Sequence, residues 1–254
     1  MKMGTLLVRG MLVGLAAAAL AFAFASIFGE PAVSTAISFE DSHAVAGGHD
    51  HSAATGAAQE PELVSRDVQS TIGLATAVGV YGLAFGGLFA LGFAFAYGRI
   101  GALSARASSG VLALGAFLVV FVVPYLKYPA NPPAVGQSDT IGYRTTWYFV
   151  LVLISVLVAI GATVLARRLV GRLGSWNAVL TGVLGYVALM AVAALLLPGV
   201  NEVPAGFPAD VLWNFRIASL GTQLVLWTAL GLLFGIFTER RLRRVASKPT
   251  TISA

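Results

Sequence analysis

The chain's only imidazoles, His43, His49 and His51, all lie between positions 43 and 51, with Asp50 between the last two. Imidazole nitrogen and carboxylate oxygen are ligands for zinc, nickel and cobalt. A glycine-rich loop ("HAVAGGHDH") wrapped around such an ion loses conformational entropy, so the affinity it predicts is weak. It does not select any one of these ions either, because the Irving–Williams order favours copper. The same residues also fit a solvated linker in which histidine is an ordinary polar side chain. Both readings stay open. With no cysteine there is no disulfide, thiolate metal site or iron–sulfur cluster. Four methionines make a poor soft copper site.

A second set of charges stands beside apolar segments. Glu30, Glu202 and Asp210 lie close to prolines, and Arg66, Arg144 and Arg216 stand at matching depth. Carboxylates at that depth are natural partners for the arginines, which predicts structural ion pairs. The alternative is that the carboxylates line an intake for cations. The arginines fit the first role, because a guanidinium in a cation path repels its cargo. The carboxylates fit either. No nucleophile–base pair or metal triad is present, and no G-x-x-x-x-G-K-[ST], so the sequence points away from an enzyme and from nucleotide binding by a P-loop. Any active transport would draw on a gradient or on a separate partner.

These residues must be positioned by a membrane fold. The chain is 57% hydrophobic and 11% charged, against about 25% charged in soluble domains. Its mean hydropathy is +0.85. Six apolar runs, 6–28, 71–97, 109–125, 146–165, 176–197 and 211–237, are each long enough or nearly so to cross a hydrocarbon core about 30 Å thick. With a cytoplasmic N-terminus, all 16 basic residues except Arg66, Lys127, Arg144 and Arg216 fall on the cytoplasmic side, and of the 11 acids only Glu239 joins them. That bias sets orientation. The expectation is an all-α polytopic membrane protein, one membrane domain over 1–254, with six transmembrane helices and both termini cytoplasmic. The pI near 9.8 then reflects topology rather than nucleic-acid binding.

Several finer expectations follow. "AFAFAS" (21–26) is similar to a signal-peptidase site, but the apolar stretch exceeds a 7–15-residue signal core, which favours retention of the first span. The outer loop 29–70 opens with Pro31, which suits the first turn of a short helix bearing Val33, Ile37 and Phe39. Its small, polar middle reads as a mobile tether. The basic tail 238–254 suits anionic lipid headgroups of the bilayer. No Asp, Glu, His or Lys stands mid-span; Tyr81, Tyr186, Gln223 and Trp227 do, as packing contacts. Gly10/Gly14, Gly82/Gly86 and Gly231/Gly235 have the spacing that lets helices approach closely. The first, third and fifth spans each end in a proline-containing stretch followed by an arginine, a loose pattern that three hairpin-like repeats would explain.

The chain closely resembles the CbtA family of predicted cobalt transporter subunits. The resemblance rests on "RG" (9–10), "GEP" (29–31), "FE" (39–40), Arg66 with Gln69, "KYPANPPAVG" (127–136), "RT" (144–145), "NEVPAGFPA" (201–209) and "LW.FR.AS" (212–219). It implies a permease-like subunit in the bacterial inner membrane, carrying Co2+ as cargo with no permanently bound cofactor. It also implies a link to cobalamin supply and a small single-span, histidine-containing partner called CbtB. Inside the matching segments stand Glu30, Pro31, Glu40, Asn131, Pro132, Pro133, Glu202, Pro204 and Trp213. The histidine window matches no motif of the family. The leading expectation is an importer that collects cobalt at an acidic outer face, with the histidine window accessory and Glu30, Glu40 and Glu202 at the intake. The competing one is a non-transporting membrane scaffold braced by ion pairs.

Overall fold

A hydrocarbon core offers the backbone no hydrogen-bond partners, so apolar runs of this length must satisfy their amides internally, as helices. The computed structural model describes residues 3–46, 65, 68–99 and 101–246, and among them it is all helix and connecting loop, without strands. The helices are α1 (Met3–Phe28), α2 (Glu30–Ala46), α3 (Gln69–Ala96), α4 (Ala105–Lys127), α5 (Ile141–Leu196) and α6 (Ala209–Ala246). All but α2 are long and apolar enough to cross a membrane, five candidate spans by length and composition. The expected spans 146–165 and 176–197 both fall on α5, the second passing its end by one residue. A straight helix of 56 residues would run to about 84 Å. It is not straight. Gly174 takes φ 74° and ψ 165°, a conformation open to glycine and strained for other residues.

Contacts group the chain into two compact units, one of residues 1–31, 46–115 and 218–254 and the other of 32–45 and 116–217. In the first, α1 packs on α3 with almost no side chain between them. Gly10 and Gly14 face Gly86 and Gly82, and a Cβ built on Gly86 would stand 2.8 Å from the Cα of Gly14. The buried face of α1 continues through Val13, Ala17, Ala18 and Ala21, small residues at helical spacing. On α6, Phe234 wedges between Phe89 and Phe93 of α3, ring centroids 5.3 and 5.1 Å away. Gly231 accepts a 2.7 Å hydrogen bond on its carbonyl from Ser109 of α4, and a Cβ on Gly235 would stand 3.0 Å from the Cα of Arg106.

In the second unit a proline dictates a polar contact. Pro124 lacks an N–H and its ring crowds the preceding turn. The helix widens there into a π-helical stretch, Phe117–Val122, and the N–H of Val123 reaches back to the carbonyl of Leu118. The carbonyl of Val119 thereby loses the amide of 123, and residue 124 has none to give. Ser155 of α5 donates to it at 2.6 Å. With that proton committed, Tyr186 donates to Ser155 Oγ at 2.7 Å. Ser155 and Tyr186 are 31 residues apart in one helix, a separation of about 46 Å if it ran straight. Instead α5 folds back on itself at Gly174. Gly182 lies within van der Waals reach of Ala162 in the same fold.

Two outcomes follow. Ser155→Ala should lower the unfolding free energy of the purified protein in detergent by about 1–2 kcal/mol. Pro124→Ala should recover part of that loss, because it restores an N–H within reach of the Val119 carbonyl; additive effects in a double-mutant cycle would refute the account. At the α1–α3 contact, Gly86→Val should cost about 1–3 kcal/mol or more, read as a lower melting temperature. Gly110→Ala, with open space around it, should not lower it.

Candidate functional site

Outside the spans, the loops "KYPANPPAVGQSDT" and "PGVNEVPAGFP" are built as tight turns by their prolines and glycines. The N–H of Val135 bonds the carbonyl of Pro132, and that of Phe207 bonds Pro204, each at 3.2 Å. Ala134 sits at φ 65° and Gly136 at φ 114°. Ala32 and Ala36 of α2, Val135, Phe207 and Val211 form a small apolar core, with Phe39, Leu212 and Phe215 against it. The rings of Phe39 and Phe207 meet edge to face at 5.0 Å. The residues that α2 buries most deeply are thus Ala32 and Ala36, while Phe39, Val33 and Ile37 are half-buried. Small side chains let the helix come close enough for Phe39 to reach its partner.

The two loops are joined by Glu202. Its Oε2 accepts the N–H of Gln137 and the hydroxyl of Thr140, both at 2.9 Å. Arg144 Nε lies 3.4 Å from the same oxygen, as an ion pair whose N–H is not aligned for a hydrogen bond. A second nitrogen of Arg144 donates to the carbonyl of Gln137 at 3.3 Å. The guanidinium lies so close over Gly136 that a Cβ there would meet its carbon at 2.6 Å. The Gln137 amide, then the Thr140 hydroxyl, then the Arg144 charge hold the Glu202 carboxyl below its ordinary range, against the opposing effect of burial. Its other oxygen takes no hydrogen bond from the described residues.

Arg216 is tethered differently. It donates to Asn131 Oδ1 at 2.9 Å and to the carbonyl of Ala130 at 3.4 Å. The expected carboxylate partner is replaced by neutral acceptors. Asp210 is six residues earlier on α6, about 240° around the helix axis, and stands exposed in the first turn, where the helix dipole favours an acid. Tyr125 donates to the carbonyl of Arg216 at 2.7 Å, and Tyr128 to that of Pro198 at 2.8 Å.

The structure therefore brings Arg144 to Glu202 and Arg216 to Asn131, and does not bring Asp210 to either arginine. Pro132 is buried under the loop; Pro133, Pro204 and Trp213 are exposed. Glu30 and Pro31 open α2, with Glu30 half-buried, and Glu40 is exposed further along it. His43 lies within α2. His49, Asp50, His51 and Arg66 lie outside the described residues. Among the described residues no three His, Cys, Asp or Glu side chains converge to hold a metal ion. Sequence reasoning missed Gln137, Thr140, Tyr125 and Tyr128 as the groups that fasten the loops. The backbone amide of Gln137 leaves no trace in residue type; Thr140, four residues before Arg144, was a usable signal.

A family model described as "Probable cobalt transporter subunit (CbtA)" matches residues 3–239, from the first helix almost to the end of α6. The chain belongs to the CbtA family. No curated protein and no solved structure matches it. CbtA is a family of transporter subunits, not of enzymes, and the word subunit implies a further chain in the complex. With its long apolar helices, this CbtA chain is a multi-pass membrane protein.

The Glu202 anchor has a pH signature. Its carboxyl titrates lower folded than unfolded, so the stabilisation it gives is complete above the unfolded value and is lost as pH falls through the lower folded one. Glu202→Gln should flatten this acid-side loss of thermal stability while leaving the response above pH 6 unchanged. Gly136→Ala should lower the melting temperature at neutral pH by displacing Arg144. An unchanged acid limb in Glu202→Gln would remove Glu202 from this role.

Proposed function

We propose that this CbtA chain is the permease-like subunit of a cobalt importer, with six crossings, both termini cytoplasmic and metal collected at an acidic outer face. The observation that carries the reading is α5. Its reversal at Gly174, just after Arg167, Arg168 and Arg172, divides one long helix into two membrane-length halves. It puts those arginines at the turn, where the cytoplasmic bias of basic residues wants them. Counting both halves gives six spans. The loops holding Glu202 and Asn131 then face outward, on the side that carries all acids but Glu239.

On this reading Glu202 stays ionised at neutral pH, with one oxygen spent on fastening the loops and the other left for a hydrated cation. Glu30 and Glu40 add charge, and the negative outer face raises the local cation concentration. His43, His49, Asp50 and His51 serve as an accessory collector. Their weak binding matters when Co2+ is scarce. The partner is a small single-span, histidine-containing chain like CbtB, the membrane is the bacterial inner membrane, and the imported metal feeds cobalamin supply. The Arg144–Glu202 pair also suits a non-transporting scaffold, and uptake separates the two readings.

Radiolabelled cobalt uptake in a deletion strain should rise when this chain is restored; no rise would favour the scaffold. Loss of His43, His49 and His51 together should slow uptake several-fold at scarce cobalt and little at abundant cobalt. Glu30→Ala and Glu202→Ala should reduce it at both, after correction for protein level. Reporter fusions at His49 and at the C-terminus should land on opposite sides of the membrane.

A further inference from the structure

Near the start of α1, Arg9 is half-buried and its Nη1 is sealed from solvent with no hydrogen-bond partner among the described residues. Among the described residues, the charge that acts on Arg9 is that of Arg241 of α6, a second cation rather than an acid. Glu239 cannot serve either. Its Oε1 takes Arg243 at 2.7 Å and its Oε2 takes Arg106, with Nε at 3.4 Å and the backbone N–H at 3.3 Å. It is also the one acid that the charge bias puts on this side. A buried guanidinium nitrogen beside a like charge and without an acceptor is unfavourable unless an anion completes the arrangement.

The place of Arg9 along α1 says which anion. The helix of 26 residues measures about 39 Å, some 9 Å more than the hydrocarbon core. With that surplus at the end that begins with Met3, Arg9, six residues further on, falls at the edge of the core, beside the lipid headgroups. Guanidinium matches the oxygens of a phosphate group in bidentate fashion. We propose that Arg9 and Arg241 form a specific phosphate-binding site, occupied by the phosphodiester headgroup of an anionic phospholipid.

The test uses the full-length protein in neutral detergent, titrated separately with phosphatidylglycerol, phosphatidylcholine and inorganic phosphate, with melting temperature and native mass spectrometry as readouts. Phosphatidylglycerol should bind and raise the melting temperature where phosphatidylcholine does not. Arg9→Gln should weaken that response roughly tenfold, with Arg241→Gln weakening it in the same direction. Arg240→Gln, an exposed arginine beside Arg241, should leave it unchanged. Without lipid, Arg9→Gln should melt no lower than the parent, because it removes an unpaired buried charge. Inorganic phosphate matching phosphatidylglycerol would overturn the lipid as occupant in favour of a soluble phosphate. An undiminished response in Arg9→Gln, or an equal loss in Arg240→Gln, would overturn the site and leave only general attraction of a basic end.

Discussion

Hydrocarbon supplies no hydrogen-bond partner, so a backbone carbonyl freed by a departure from plain helix has to find one within the protein. The widened turn before Pro124 shows the chain of consequence. Proline removes an amide, a carbonyl at Val119 is left over, and Ser155 and Tyr186 are drawn from two halves of a later helix to cover it. One residue's missing N–H therefore ties α4 to both arms of α5. Where no polar group needs covering, contact is made by removing side chains altogether, as at Gly10, Gly14, Gly82 and Gly86. There the attraction is close van der Waals packing, since burial from lipid brings no hydrophobic gain.

Much of this was legible in the residues. Apolar length and basic bias gave the helical class, and glycine spacing marked the surfaces that approach each other. The reversal in α5 was legible only as a polar break around Arg167, Arg168 and Arg172; that Gly174 turns the chain depends on its φ, which the residue type permits without requiring. The loops were harder. Depth matching paired arginines with acids, and for Arg144 and Glu202 geometry agrees. For Arg216 it does not, because a fixed guanidinium takes whichever oxygen the backbone presents, and the Asn131 loop presents an amide and a carbonyl. Residue type reports charge; it does not report which loop folds over which.

The arginines make the same point energetically. Arg144 meets a carboxylate and a carbonyl, so its charge is largely spent inside the fold. Among the described residues Arg216 meets only dipoles, which hold it in place and leave its charge intact. Arg9 meets neither. The field that each projects on a passing ion or lipid grows in that order, because a neutralised pair is felt over a shorter distance than a lone charge. The balance is clearest at Glu202. Pairing with Arg144 fixes the carboxylate but also discounts it, and the two neutral donors, Gln137 and Thr140, let the loops be fastened without cancelling the rest of its charge. An anchor made of a second arginine would have held the loops as well and cancelled the charge that remains.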